Sequence, residues 1–589
     1  MKFRAFHRVL TSVILLLSLF STTVHVRADT HNFTVNTTDD TADANLADNA
    51  CADAQGYCSL RAGLEQSKPL TNANHIVNIY FNLYSPATIF LESDLPQYTQ
   101  ASLINTDPLK QITINGQGQY TGLLIGGDQN TTIQGLIFDD LRFDGILIYF
   151  GGTDTITNNV LIGNDMGVYV TGLADGHGDI HITGNYIGYN PYTETKSPNL
   201  RGVHIRDIPG DDGCNVWIGG PDAEDGNVIA GNSQSGIFIN NEKFTTNVFI
   251  LNNYIGMVDD TTPVYNSRHG IEVQKSLGVL NIGGDYLTQG NLIAGNQNVG
   301  VFIEESAATS IQGNTFSANA AGTTYIPNQN GDILVADSPY LRIGGDSPNF
   351  GNVIPQGVVV ESNEINNQNL KIKHNLLGIS KTGYVFPIAA DRDGIWVEKA
   401  TGYPEISFNT ITNFRNGIII LRESSMVPIL NNHIYNNTGL GIDLNNDGLT
   451  PNDPPPDADM GPNGLQNFPL ITNVEVTQYG DAKQVMFDLT LGAAPETTYR
   501  LQVFSSPFCS PSGYGEGKQI FYQTSVTTDT NGYYEFNELV FWYPANITGP
   551  CLTATATLVN GDQFVATSEF SPGVMAWQPE KLYLPMIVK

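Results

Sequence analysis

Asn-x-(Ile, Leu or Phe) recurs at Asn159, Asn185, Asn227, Asn253, Asn291, Asn314, Asn352, Asn375, Asn409 and Asn432, at intervals of 26, 42, 26, 38, 23, 38, 23, 34 and 23 residues. Short and long steps alternate, which makes the unit a double period of 57 to 68 residues. A chain repeating at such spacing folds as stacked units, each burying its apolar face only against its neighbours. Two further series run in phase with the first. One is a Gly followed by alternating apolar residues, at Gly145, Gly167, Gly202, Gly236, Gly270, Gly300, Gly394, Gly417 and Gly441; the other comprises VWIGG, VFILN, LNIGG, LRIGG, KIKHN, EISFN and PILNN. Every segment alternates apolar and polar side chains, the two-residue period of a strand with one buried face. Three short strands per rung, separated by Gly and Asn corners, predict an all-β chain built as a right-handed parallel β-helix. Some twelve rungs about 4.8 Å apart make a rod roughly 60 Å long.

Composition supports this. Among 589 residues there are 60 Gly and 58 Asn, both poor helix formers suited to turns. Corner asparagines are expected to take the left-handed backbone conformation and to hydrogen-bond to one another up the rod. Basic residues number 27 against 58 acidic ones. Without the four basic residues of the first 28, the charge is −35, which argues against nucleic acid or acidic membrane surfaces as partners.

The double period places polar excursions at 189–201, 257–269 and 379–393, projecting from one side at every second rung, where a binding groove is expected. Lys2, Arg4 and Arg8 precede the apolar run Val13 to Phe20, and Val26-Arg27-Ala28 offers a cleavage site, so residues 1–28 read as an export signal. In an oxidising compartment Cys51 and Cys58, and Cys509 and Cys551, are expected to form two local disulfides, leaving Cys214 alone. Residues 29–100 form an N-terminal cap and first rungs, with a short helix over Ser59 to Ser67 covering the open strand edge. The coil occupies 101–445, an Asp- and Pro-rich connector 446–469, a C-terminal β-sandwich 470–574 and a tail 575–589. No segment after the signal is apolar enough to span a bilayer, and the expected location is extracellular or at the cell surface.

Several stretches resemble known families. CSLRAG (Cys58 to Gly63) resembles the N-terminal motif of bacterial secreted β-helix proteins named for CSLREA, with Ala62 and Gly63 standing where that motif has Glu and Ala. Gly439 to Pro469 is similar to the segment that closes the coil in right-handed β-helix repeat proteins. SGYGEGKQIF and TATATLVNGDQFVATSEFS resemble the module that trails such coils, and LYLPMIVK is similar to the C-terminal tail of secreted proteins of filamentous green non-sulfur bacteria. These resemblances imply an architecture and no activity.

Two constellations carry possible chemistry. Asp443-x-Asn445-x-Asp447-Gly448 matches the first half of a calcium loop, but Pro454 replaces the twelfth-position Glu of an EF-hand; Asp453, Asp457 and Asp459 offer further oxygen ligands. Asn105-Thr106-Asp107, Asp139-Asp140 and Gly176-His177-Gly178 resemble, in order, the NTD, DD and GHG motifs of polygalacturonases, which implies Asp107, Asp139, Asp140 and His177 as catalytic groups; no Arg-Ile-Lys follows them. Arg201, Arg206 and Arg268, with neighbouring Asp207, Asp211 and Asp212, read as solvated loop charges. Cys214 reads as a buried filler, and His177, His181 and His204 as residues too irregularly spaced for zinc. Tyr189, Tyr192, Tyr265 and Tyr384 are loop aromatics able to stack on sugars or to pack on the rod. The expected function is a secreted, noncatalytic structural, adhesive or glycan-binding protein whose partner is a polysaccharide or another envelope component. The alternative is a polysaccharide hydrolase or lyase on the same scaffold.

Overall fold

The computed structural model describes residues 29–172, 178–207, 214–242, 246–285, 288–362, 367–388, 391–424, 426–479, 482–544 and 551–575. Segment 1–28, read above as an export signal, His177, Asp211 and Asp212, and all but the first residue of the expected tail lie outside these. Three long parallel sheets form the coil. The first has 14 strands, from Thr30–Val35 to Ile429–Leu430; the second has 13, from Ala87–Phe90 to His433–Tyr435; the third has 12, from Leu123–Gly127 to Ile442–Leu444. Successive strands of each sheet lie one rung apart, giving a right-handed parallel β-helix about 60 Å long.

Register explains the fold's tolerance of three- and four-residue strands. On the first sheet Ile156, Ile182, Ile218, Ile250, Ile282, Ile311, Ile343, Ile372, Ile406 and Ile429 stand in one column, each the in-register partner of the next. β-Branched side chains suit this pleated, half-buried surface, and the column is part of one continuous core.

The corner between first and second sheets holds the asparagine series. Each Asn from Asn159 to Asn409 donates Nδ2 to the Oδ1 of the next, at 2.8 to 3.1 Å, and all ten are buried. The left-handed conformation falls instead on the residue before a ladder asparagine, as at Asn158, Asn252, His374, Phe408 and Asn431. Turn-making and ladder bonding are thus divided between adjacent positions. A second ladder, Asn199, Asn232, Asn266, Asn296 and Asn328, runs along the corner between second and third sheets.

Both ends are covered. The helix is Leu60–Asn72, longer than expected, with Ser59 Oγ accepting the Ala62 N–H at 3.0 Å. Its continuation through Pro69 keeps Leu70 and Thr71 buried, so packing on the end rung overrides the helix-ending tendency of proline. Arg61 of the CSLRAG stretch makes a buried bidentate pair with Asp40, at 3.0 and 2.6 Å, and also donates to the Ser93 and Asp94 carbonyls.

At the other end stands a β-sandwich. Leu470–Tyr479, Ala482–Gly492 and Tyr533–Pro544 form one antiparallel sheet, and Gln519–Thr527, Thr498–Ser506, Cys551–Asn560, Gln563–Thr567 and Val574–Met575 form the other, around a separate core. Its side chains satisfy backbone N–H groups at the end of the coil: Thr567 Oγ1 accepts from Ile429, Gln502 Oε1 from Asn431, Glu516 Oε1 from Asn437 and Glu569 Oε1 from Leu444, at 2.8 to 3.2 Å. Cys51–Cys58 and Cys509–Cys551 are disulfide-bonded, and Cys214 is a buried free thiol. Among the described residues no helix is long and apolar enough to cross a membrane.

Candidate functional site

The outward face of the third sheet brings together residues that are far apart in the chain. Strand register aligns Leu147, Tyr169, His204, Phe238, Glu272, Phe302 and Leu334 in a single outward column. Tyr169 and His204 stack at 4.7 Å, His204 and Phe238 meet at 4.9 Å, and His269 stacks on Phe302 at 4.9 Å. The Arg201 guanidinium lies 4.0 Å from the centre of the Phe238 ring. Burial and the neighbouring Arg201 and Arg206 push His204 down to about 3, so its imidazole is neutral at physiological pH. Among the described residues neither of its ring nitrogens has a hydrogen-bond partner. Glu272 is fully buried and held by Ser235 Oγ at 2.5 Å, Gln274 Nε2 at 3.0 Å and Arg268 at 3.0 Å. Burial, with Arg268 as a like charge, lowers the Arg201 guanidinium's affinity for its proton, while Glu272 acts the other way.

Arginines gather along this sheet. Arg142, Arg201, Arg268, Arg392 and Arg415 each stand one to three residues before a glycine of the Gly series, at Gly145, Gly202, Gly270, Gly394 and Gly417. They therefore occupy one edge of the third sheet, at its entry from the second. Arg206 and Arg422 lie at the opposite edge, at or just past the strand ends. These are seven of the ten arginines beyond residue 28. Arg268, Arg415 and Arg206 have carboxylate partners in Glu272, Asp393 and Asp207, and Arg392 donates to backbone carbonyls. The phase of Arg against Gly was the sequence signal for this edge; reading each arginine as an isolated loop charge hides it.

At the N-terminal end of the same face a cavity of about 260 Å³ is lined by Asp94, Thr121, Phe143, Asp144 and Leu147. Burial, reinforced by the charge of Asp165, pushes the Asp144 carboxyl up to about 7.

The polygalacturonase-like residues are not brought together. Asp107 lies in the connection between Ser102–Ile104 of the first sheet and Ile112–Asn115 of the second, whereas Asp139 ends strand Ile137–Asp139 and Asp140 follows it. In register Asn115 opposes Asp139, so Asp107 and the Asp139-Asp140 pair lie at opposite ends of second-sheet strands. Asp139 accepts from Asn115 at 3.0 Å; burial raises its carboxyl, with Asp140 adding to the effect. His181 is on the first sheet near Trp217, on another side of the rod from His204.

The calcium candidates separate as well. Asp443 and Asp447 act on Glu569, whose Oε1 and Oε2 accept the Leu444 and Thr450 N–H groups at 2.8 and 2.9 Å, while Asp453, Asp457 and Asp459 gather near Asn467. The Asn445 amide donates to Asp447 at 2.8 Å. Among the described residues no three His, Cys, Asp or Glu side chains are placed to share a metal ion.

Among the described residues the excursions number four. Loops 189–196, 257–263, 318–325 and 379–385 recur at every second rung, closed by the same backbone bond: Ser197 to Gly188, Val264 to Gly256, Ile326 to Ser317 and Phe386 to Gly378. The third has no glycine before its turn, Ser317 taking φ 45° instead, which is why it escapes a glycine-based reading. They fold back on the second sheet, where Met257 packs with Leu292 and Ala294, and Phe386 with Ala318 and Val353. Tyr192, Tyr265 and Tyr384 remain exposed at the surface, and Lys196 lies 4.0 Å over the Tyr265 ring.

No curated protein sequence matches this chain at a significant level. Residues 121–316, which carry the site from Thr121 to Phe302, match the family model described as the right handed beta helix region.

Proposed function

We propose that this is an exported binding protein that holds an extended acidic polysaccharide along the outward face of the third sheet. The observation that carries the reading is the gathering of seven of the ten arginines beyond residue 28 on the edges of one sheet, in a stretch of net charge −35. A guanidinium presents a planar fork of donors matched to a carboxylate or sulfate, and Arg142, Arg201 and Arg268, in phase on alternate rungs, repeat that group along the rod. Neutral His204 stacks between Tyr169 and Phe238, an aromatic surface beside the Arg201 guanidinium. Export is supported by the charged-then-apolar pattern of residues 1–28 and by two disulfides, which persist in oxidising compartments. The test is calorimetric titration of the mature chain with polygalacturonate, alginate and a neutral dextran. Binding of the acidic polymers alone, weakened by salt and by Arg201→Ala, is expected; equal binding of dextran, or no binding of either acidic polymer, would refute the proposal.

One observation favours a second reading, glycan cleavage. Asp144, at about 7, sits in a cavity at the end of the same face, and a carboxyl titrating near neutrality suits a general acid. Release of reducing ends from a bound polymer, abolished by Asp144→Asn, would establish this reading.

A further inference from the structure

A second concave site lies on a different side of the molecule, where the last rungs meet the sandwich. A cleft of about 600 Å³ is walled on the coil side by Lys371, Tyr403, Glu405 and Met426, and on the sandwich side by Gln563 and Phe564, among others. Three of these are large apolar side chains left in water: Tyr403 is 63% exposed, Met426 55% and Phe564 44%. Scattered single exposed residues need no explanation, but three converging on one cleft between two folded units do.

The walls are fixed. Ile429 N donates to Thr567 Oγ1 at 2.8 Å, and Asn463 Nδ2 donates to both the Val427 and the Thr567 carbonyls, at 2.8 and 2.9 Å, so the rung behind Met426 and the strand carrying Phe564 are tied together. Tyr403 is held at both backbone groups: its N–H donates to Asn369 Oδ1 at 3.1 Å and its carbonyl accepts from Lys371 Nζ at 2.8 Å. The exposed ring thus stands on a rigid turn, a geometry that lowers the ordering cost of a ligand packed against it.

The lysines at the cleft are paired. Lys371 Nζ is 3.4 Å from Glu405 Oε2, Lys373 Nζ is 3.2 Å from Glu405 Oε1, and Lys373 also reaches Asp346 at 2.9 Å. Lys371 and Lys373 are thus engaged by carboxylates rather than free to select an anion. What remains for recognition is apolar area on Tyr403, Met426 and Phe564, beside the amides of Asn560 and Gln563, which offer both donors and acceptors. A ligand with one C–H face and a rim of uncharged hydroxyls meets all of these requirements. We infer that the cleft between the coil and the sandwich is a binding site for a neutral pyranose oligosaccharide, separate from the arginine-edged face.

The test uses the full mature chain and cellohexaose, maltohexaose and chitohexaose as probes, with binding read by calorimetry and by saturation-transfer NMR. At least one hexaose is expected to bind, and Tyr403→Ala and Phe564→Ala each to weaken that binding about tenfold, the scale of one aromatic contact. Both side chains are exposed, so circular dichroism and the melting temperature should stay at the wild-type values. Arg201→Ala should leave hexaose binding unchanged while weakening acidic-polymer binding, which separates failure of this site from failure of the sheet-face proposal. The inference is overturned if none of the three hexaoses binds, or if binding is indifferent to both Tyr403→Ala and Phe564→Ala.

Discussion

The side-chain amide of Asn314 donates to Oδ1 of Asn352 at 3.1 Å, and the backbone N–H of Asn314 donates to the same oxygen at 2.9 Å. One asparagine therefore closes the corner of the rung before it, while its own Nδ2 reaches back to a strand carbonyl of the first sheet, as Asn352 does to Ile311 at 2.8 Å. Because every member is both donor and acceptor, the ladder has no spare polar atom to leave buried until it reaches its ends.

Asn253→Ala should be among the costliest single substitutions in the coil. It removes donors to Ile218 O, Leu251 O and Asn291 Oδ1, and the acceptor for Asn227 N and Nδ2, all in buried surroundings. A loss of about 3 to 5 kcal/mol is expected in denaturant unfolding, since each orphaned buried group costs about 1 to 3 kcal/mol and neighbouring losses overlap. A loss below about 1 kcal/mol would mean that the ladder is ornamental.

The sandwich acts as the C-terminal cap, so damage to its contacts should register in the coil. Glu516 accepts the Asn437 N–H at 2.8 Å in a buried setting. Glu516→Ala is expected to cost about 1 to 3 kcal/mol and to raise amide exchange at Asn437 and its rung neighbours. Exchange that rises only within 470–575 would contradict a capping role.

Buried carboxyls give the fold a preference for mild acid. Burial raises Glu569 from 4.5 to about 8, and Asp154 and Asp457 from 3.8 to about 7, despite hydrogen bonds that act the other way. Between the unfolded and folded values the native state binds more protons than the unfolded one. The stability from these groups is therefore full below about pH 4 and is lost as pH rises toward 8. The melting temperature should be higher at pH 5 than at pH 8, and Glu569→Gln should flatten part of that slope; a profile rising from pH 5 to 8 would contradict it.

Much of this architecture was legible because periodicity is a long-range signal. The ten spaced asparagines, the strand alternation and the CSLRAG helix start each survive in the structure at the expected residues, since a repeat that misplaces one member loses the column it belongs to. The site was harder to read. Arg201, His204, Phe238 and Glu272 are joined only through strand register, and register depends on loop lengths that vary from rung to rung. The Asp107, Asp139 and Asp140 strings failed for the reverse reason: matching letters carry no information on which corner of a rung they occupy.

Cys214 should be silent in the native protein. It is 3% exposed, its Sγ lies 3.1 Å from Gly178 O, and burial, with the charges of Asp179 and Asp154, pushes the thiol up to about 12. A thiol reagent should find nothing until denaturant is added and then one group per chain; rapid labelling of the native protein would contradict this packing.

The most direct measurement of the central claim is the affinity of the chain from residue 29 onward for uronate oligosaccharides of increasing length, with and without Arg201→Ala. A ligand lying along the third sheet should gain affinity stepwise as it spans the rungs from Asp144 to Phe302, lose it with added salt, and lose it again when Arg201 is removed. Affinity that is independent of length and unchanged in Arg201→Ala would contradict the account.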